Sequence, residues 1–212
     1  MDGLFSMPRE SFQPWGWTKP SMMAAERLRE RHATLVRSHV PPRDRLFFAV
    51  LPDAETTGRI AEATQRLRRA HGLKGKLIRP ERLHVTLLHV GDEAGLPDGW
   101  IEETAERAAG VSMPQFKVGF DRVVSFKQGA LVLRGDESLI GLEILQQRVN
   151  DLFDDRPRKA RPFTPHVTLL YGNRRIEEEA IEPIEWTVKE LVLVHSRLGR
   201  TEHRHVARIP LG

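Results

Sequence analysis

The word His-Val-Thr-Leu-Leu occurs twice in this chain, as His84–Leu88 and again as His166–Leu170, 82 positions apart. A polar residue, an apolar one, then a polar one is the two-residue period of a strand with one face buried. On that period His84, Thr86 and Leu88 point one way and Val85 and Leu87 the other. His166, Thr168 and Leu170 oppose Val167 and Leu169 in the same manner. A word repeated at this length constrains the fold. It suggests two copies of one unit, each a strand, a helix and a His-Val-Thr strand, packed so that each can bury its apolar face.

The rest of the chain fits that division. "RLFFAVLP" (45–52) is a short apolar run ending in proline and reads as a buried strand. Asp53 caps a helix to about Ala70, with Ile60 and Leu67 on one face and Gly72 as its stop. A strand over about 82–90 follows, and Asp98 then caps a shorter helix ending near Gly110. In the second half, "QFKVGFDRVVSF" (115–126) and "ALVLRG" (130–135) flank the turn "KQG" as a hairpin. Residues 138–153 form a helix with Leu142, Leu145, Val149 and Leu152 on one stripe. "EWTVKELVLVHS" (185–196) and "EHRHVARIPL" (202–211) are predicted to close the chain as an antiparallel pair. The expected fold class is therefore α+β, with two pseudo-symmetric lobes, each an antiparallel sheet with flanking helices, around a central groove.

Residues 1–44 are read as an N-terminal extension, irregular over the prolines of 1–20 and helical over Ser21–Arg37, with the main domain at 45–212. The chain has no cysteine, which excludes a disulfide framework, a zinc–thiolate site and thiol catalysis. No apolar run reaches the length of a membrane span, and the N-terminus lacks the pattern of a signal peptide, so a cytoplasmic protein with no membrane contact is expected. The net charge of +4 is a mild basic excess, compatible with a polyanionic substrate. A monomer is the default.

Two such strands side by side bring two imidazoles and two hydroxyls to one cleft. In each strand the histidine and threonine lie about 6–7 Å apart. Paired histidines suit in-line opening of a cyclic phosphodiester. One takes a proton from water, and the other gives a proton to the leaving ribose oxygen. The threonine hydroxyls can donate to non-bridging phosphate oxygens. No metal or other cofactor is required, and no carboxylate cluster suggests a two-metal site.

The flanks extend the pattern: "RLFFAVLP" (45–52), "RPERLHVTLLHVG" (79–91), "RPFTPHVTLLYG" (161–172) and "LVLVHSRLG" (191–199). On these stretches, over about 45–212, the chain resembles the two-histidine (2H) phosphoesterases. Among them it is most similar to the bacterial RNA 2′,3′-cyclic phosphodiesterases, also called 2′-5′ RNA ligases. The resemblance implies a bilobal fold with His84, Thr86, His166 and Thr168 in the groove. It implies a hydrolase that opens 2′,3′-cyclic phosphate ends of RNA or nucleotides to 2′-phosphates, with 2′-5′ ligation as a family possibility. By analogy His84 protonates the leaving 3′ oxygen and His166 activates water. Alternatives are a 2H enzyme acting on 2′-5′ oligonucleotides or on a nucleotide metabolite, and a non-catalytic RNA-end-binding module.

The chain departs from the family pattern in two places. His89-Val90 stands where an apolar pair precedes Gly91, and Tyr171 stands where an arginine often follows the second word. Arg161, Arg174 and Arg197 are candidates to compensate, with Arg161, in the basic loop "RPRKARP" (156–162), the preferred contact. Tyr171 is a candidate to stack on a base, although a regular strand would turn it, like His89, away from the histidine face. His203 and His205 share one face of a strand and are read as surface residues.

Overall fold

The computed structural model describes residues 41–153, 163–172 and 174–212. The helix predicted over 21–37 and the basic loop at 156–162 lie outside them. Residues Pro42–Gly212 form one compact unit.

The strands are β1 (Asp44–Val50), β2 (Lys76–Leu77), β3 (Val85–Glu93), β4 (Phe116–Ser125), β5 (Ala130–Arg134), β6 (Val167–Tyr171), β7 (Glu179–Val188), β8 (Glu190–Arg197) and β9 (Glu202–Pro210). The helices are α1 (Ala54–His71), α2 (Trp100–Ala108) and α3 (Ile140–Phe153). They build two antiparallel sheets, ordered β3-β1-β8-β9 and β2-β6-β5-β4-β7. The orders superimpose: β3, β1, β8 and β9 of the first sheet correspond to β6, β5, β4 and β7 of the second. Each His-Val-Thr strand pairs with the strand that precedes its helix. The bilobal α+β architecture is thus present, with β2 as an addition beyond β6.

Two features of the chain path differ from expectation. The stretch 185–196 does not stay in one sheet. It leaves the second sheet at Val188 and enters the first at Glu190, so only β8 pairs with β9. The helices also change sides. α1 follows β1 of the first sheet but packs on β6 and β7 of the second. The Arg59 guanidinium donates to the Pro183 carbonyl (2.9 Å), and His71 meets Glu179 (2.9 Å). Conversely, α3 precedes β6 but packs on β3, with Phe153 against Phe48 of β1 (ring centroids 5.3 Å). Each sheet is covered partly by the other's helix, which ties the lobes together.

Local chemistry explains the helix boundaries. The Thr56 amide donates to the Asp53 carboxylate at 2.8 Å, capping α1, and Gly72 ends it at φ 57°, in the left-handed region. Loss of that cap would cost about 1 kcal/mol. At α2 the cap position belongs to Gly99 (φ 74°) rather than Asp98, because the turn enters the helix through the left-handed region that glycine tolerates. The core holds Leu46 and Phe48 of β1, Leu191 and Leu193 of β8, Ile60 of α1, and Leu142 and Leu145 of α3, all fully buried. Each contributes about 1.5–3 kcal/mol of transfer free energy. No described helix is long and apolar enough to cross a membrane.

Candidate functional site

Residues directly opposite one another in an antiparallel pair share a face of the sheet. On β1, Phe47 and Ala49 lie opposite Val194 and Val192 of β8, and these four side chains form one buried apolar cluster. That face also carries Thr86, the partner of Ala49, and His89, the partner of Phe47. Between them the register slips: Phe48 faces Leu88 while Ala49 faces Thr86, which leaves Leu87 as the extra residue of a β-bulge. The second sheet repeats this. Val132 faces Thr168, Leu131 faces Leu170, and Leu169 is the extra residue.

The bulge changes which side chains share a face. A regular strand would turn Leu88 toward the histidine and His89 away. Instead Leu88, half-buried, pairs with Phe48 on the core side, while Leu87 is buried and His89 returns to the face of Thr86. In the second lobe Leu169 and Leu170 are both buried, and Tyr171 shares a face with Thr168. The expectation that Tyr171 and His89 face away from the histidines is therefore overturned, by the extra residue that follows the threonine in each strand. Tyr171 is 52% exposed. Lys76 of β2 pairs with it and shares its face.

The backbone around Tyr171 is tightly packed. A Cβ on Gly75 would stand 2.2 Å from the Tyr171 carbonyl oxygen, and one on Gly129 would stand 2.4 Å from that of Gly172. The Gly172 amide donates to the Gly129 carbonyl at 2.9 Å. Only glycine permits this approach.

His84 and His166 stand just before their strands, each held by the backbone two residues earlier. His84 Nδ1 lies 2.7 Å from the Arg82 carbonyl oxygen, and His166 Nδ1 lies 2.7 Å from that of Thr164. A carbonyl only accepts, so Nδ1 carries the proton in each ring and Nε2 is the unprotonated nitrogen. His84 Nε2 is 3.0 Å from the Thr86 hydroxyl, so the two share a face. The two histidines converge: His166 is near enough for its charge to act on His84. Arg45 of β1 similarly feels Tyr171 of β6, so the sheets also approach at the far end of the motif strands.

Their surroundings differ. The His84 ring packs against Phe47 (5.1 Å) and edge-on against His203 of β9 (5.4 Å, 69°). β3 and β9 are opposite edges of one sheet, so this contact records its curl. The Arg82 guanidinium donates to His203 Nε2 at 3.1 Å. Burial lowers the pKa of His84 below its ordinary value, and the charges of Arg82, His166 and His205 add to the effect. Burial, Arg82 and the neighbouring histidines push His203 down to about 3. His166 instead meets Phe126 edge-on (5.0 Å, 62°). At the other end of β3, Asp92 accepts two hydrogen bonds from Arg45 (both 2.7 Å) and one contact from His89 (2.7 Å). Chiefly through Arg45, its carboxyl is held at about 2.

The structure thus sets His84 beside Thr86, puts Thr168 and Tyr171 on one face of the second sheet, and keeps His166 within electrostatic reach of His84. Arg161 lies outside the described residues. Arg174 reaches the end of α1, where its guanidinium would stand 3.3 Å from a Cβ on Gly72, and Arg197 pairs with Glu202 at 3.6 Å. His203 is not a plain surface residue. Sequence reasoning missed its contact with His84, and missed Arg82, Lys76 and the bulges. The one available signal was the paired leucine in each word, since two successive apolar residues break a two-residue period. Among the described residues no group of three or more His, Cys, Asp or Glu side chains is arranged to hold a metal ion.

Comparison with known proteins agrees with this architecture. In structure the chain is similar to E. coli LigT complexed with phosphate, with a TM-score of 0.59 at 23% identity over 81% of this chain and 98% of that one. It is similar to E. coli LigT complexed with 3′-AMP, with a TM-score of 0.58 at 24% identity over 81% and 96%. It is also similar to a protein of Thermus thermophilus, TT0787, with a TM-score of 0.58 at 23% identity over 78% and 97%. No curated protein matches the sequence. The model of the 2′-5′ RNA ligase superfamily matches residues 56–200, which include both histidine words and all three helices but for the first two residues of α1. With that match over more than half its length, on a fold that sets one His-Val-Thr strand in each of two sheets, the chain belongs to the 2′-5′ RNA ligase superfamily of 2H phosphoesterases.

Proposed function

We propose that this protein is a metal-independent phosphodiesterase that opens 2′,3′-cyclic phosphate ends of RNA or nucleotides to 2′-phosphates. The observation that carries the reading is the matched setting of His84 and His166. Each has its Nδ1 proton fixed by a carbonyl, so each keeps an unprotonated Nε2, that of His84 beside the Thr86 hydroxyl, and the two rings are within electrostatic reach of one another.

The cyclic phosphate sits between the two rings. One histidine takes a proton from water as the water oxygen bonds to phosphorus. The bond from phosphorus to the 3′ oxygen breaks, and the other histidine gives that oxygen its proton. The 2′-phosphate remains, and the histidines have exchanged protonation states. Thr86 and Thr168 donate to the non-bridging oxygens and keep phosphorus in line. Lys76 supplies positive charge near Tyr171, whose exposed ring is the surface offered to a base. Complexes of E. coli LigT with phosphate and with 3′-AMP are in keeping with a ligand of this class.

The test is hydrolysis of a nucleoside 2′,3′-cyclic phosphate and of an oligonucleotide with that end, with EDTA present. His84→Ala and His166→Ala should each lower kcat by about 10²–10⁴-fold. An inactive wild type, or alanine variants with full activity, would sink the reading. Tight binding of the cyclic end without turnover would point to a binding module instead. Turnover of 2′-5′ oligonucleotides or a nucleotide metabolite at higher kcat/KM would move the substrate within the family.

A further inference from the structure

The two histidines have the same backbone anchor and opposite surroundings. His166 is braced by a phenylalanine. His84 is braced by a phenylalanine and by a second histidine that a guanidinium holds from behind. Nothing in the paired motif demands that second layer.

We propose that Arg82 and His203 are positioning residues for His84. His203 wedges the His84 ring against Phe47, and Arg82 locks His203 in its neutral form while its own carbonyl fixes the His84 tautomer. The three rings touch one another in pairs. His203 lies edge-on to Phe47 at 5.5 Å and to His84 at 5.4 Å, and Phe47 lies 5.1 Å from His84. Arg82 Nη2 donates to His203 Nε2 at 3.1 Å, which a protonated His203 would forbid because both groups would then be donors. The charged or titratable groups that face His84 are Arg82 before β3, His203 and His205 on β9, and His166 at β6. Three of these are histidines, so near neutral pH the fixed positive charge in the set is that of Arg82. The low pKa values of His84 and His203 agree with that arrangement. The consequence is that Arg82 and His203 set the angle of the His84 ring, while burial and, after it, the Arg82 charge lower the pH at which that ring gains a proton. They act through His84 and need not touch substrate.

This inference rests on the phosphodiesterase reading, but its decisive readout is independent of turnover. Histidine-selective NMR titration of the full chain should show His84 as the Nδ1–H tautomer. Arg82→Gln, which removes the charge and keeps the carbonyl, should raise the His84 midpoint by about 0.5–1 pH unit. Arg82→Lys, which keeps the charge, should leave it near the wild-type value. In the kcat/KM–pH profile Arg82→Gln should move one limb upward by the same amount: the acidic limb if His84 takes the proton, the alkaline limb if it gives one. His203→Ala, which removes the wedge, should lower kcat about tenfold at the optimum with less effect on KM. A His84 midpoint unmoved in a folded Arg82→Gln variant, or a pH profile with neither limb moved, overturns the proposal. A wild type that turns over no cyclic phosphate refutes the phosphodiesterase reading and leaves the NMR titration to judge the role of Arg82 and His203.

Discussion

The two His-Val-Thr strands are the same device in two settings. The bulge after the threonine and the backbone anchor of the histidine coincide from one lobe to the other. The settings do not. β3 is the edge strand of its sheet, and its histidine is braced by Arg82 and His203 on a sheet curled far enough to bring opposite edges together. β6 is an inner strand, flanked by β2 and β5, and its far end is packed among glycines. The two strands thus agree in the His-Val-Thr word and its backbone anchor and differ in what packs around them.

The sharpest way to separate the lobes is at the threonines. Thr86 is hydrogen-bonded to His84, so on the proposed reading Thr86→Val removes a phosphate donor and a partner of the acid–base ring together. It should lower kcat/KM by about 10–100-fold, and by more than Thr168→Val. Equal losses would show that the Thr86–His84 contact plays no part in turnover. Steady-state kinetics on one cyclic substrate decides this.

A smaller effect is expected where the bulges return His89 and Tyr171 to the groove. Tyr171→Ala should raise KM several-fold, about the loss of one stacked base, and change kcat little. His89→Ala should do less, because His89 is tied to Asp92 in the network with Arg45. A larger change at His89 would mean that the base sits on the first lobe.

The smallest effect concerns stability. His203 gains a proton only near pH 3 in the folded chain, whereas a free histidine does so near 6.5. Acid therefore favours the unfolded state, which binds the proton first, and stability should fall as pH drops through that window. Asp92, held at about 2 against an ordinary 3.8, adds a loss below about pH 4. His203→Phe should flatten the first part of the fall. Urea midpoints at pH 7, 5.5 and 4.5 would show it, and an unchanged slope would count against the neutral His203.

Much of this was legible in the sequence for local reasons. The strand period, the hairpin at "KQG", the Asp53 cap and the Gly72 stop each rest on neighbouring residues. What escaped was set by distant partners. A bulge exists only against the strand it slips on, and "HVTLL" alone does not show its partner. His203 meets His84 because a sheet curls, and no local signal marks the curl. The break at Lys189, within a continuous apolar-rich run, depends on two sheets competing for one segment. The Leu-Leu pair is the visible trace of the bulge, since two successive apolar residues break the alternation.

The bulge finally changes how such a sequence should be spelled. With one residue inserted, the groove receives the first, third and sixth letters of the word: His84, Thr86 and His89 in one lobe, His166, Thr168 and Tyr171 in the other. The informative word is six letters long, polar-apolar-polar-apolar-apolar-polar. Its first and third letters are shared between the lobes, and its sixth is where they part. On the proposed reading, the residue three places after the threonine is the one to exchange when asking what the groove prefers.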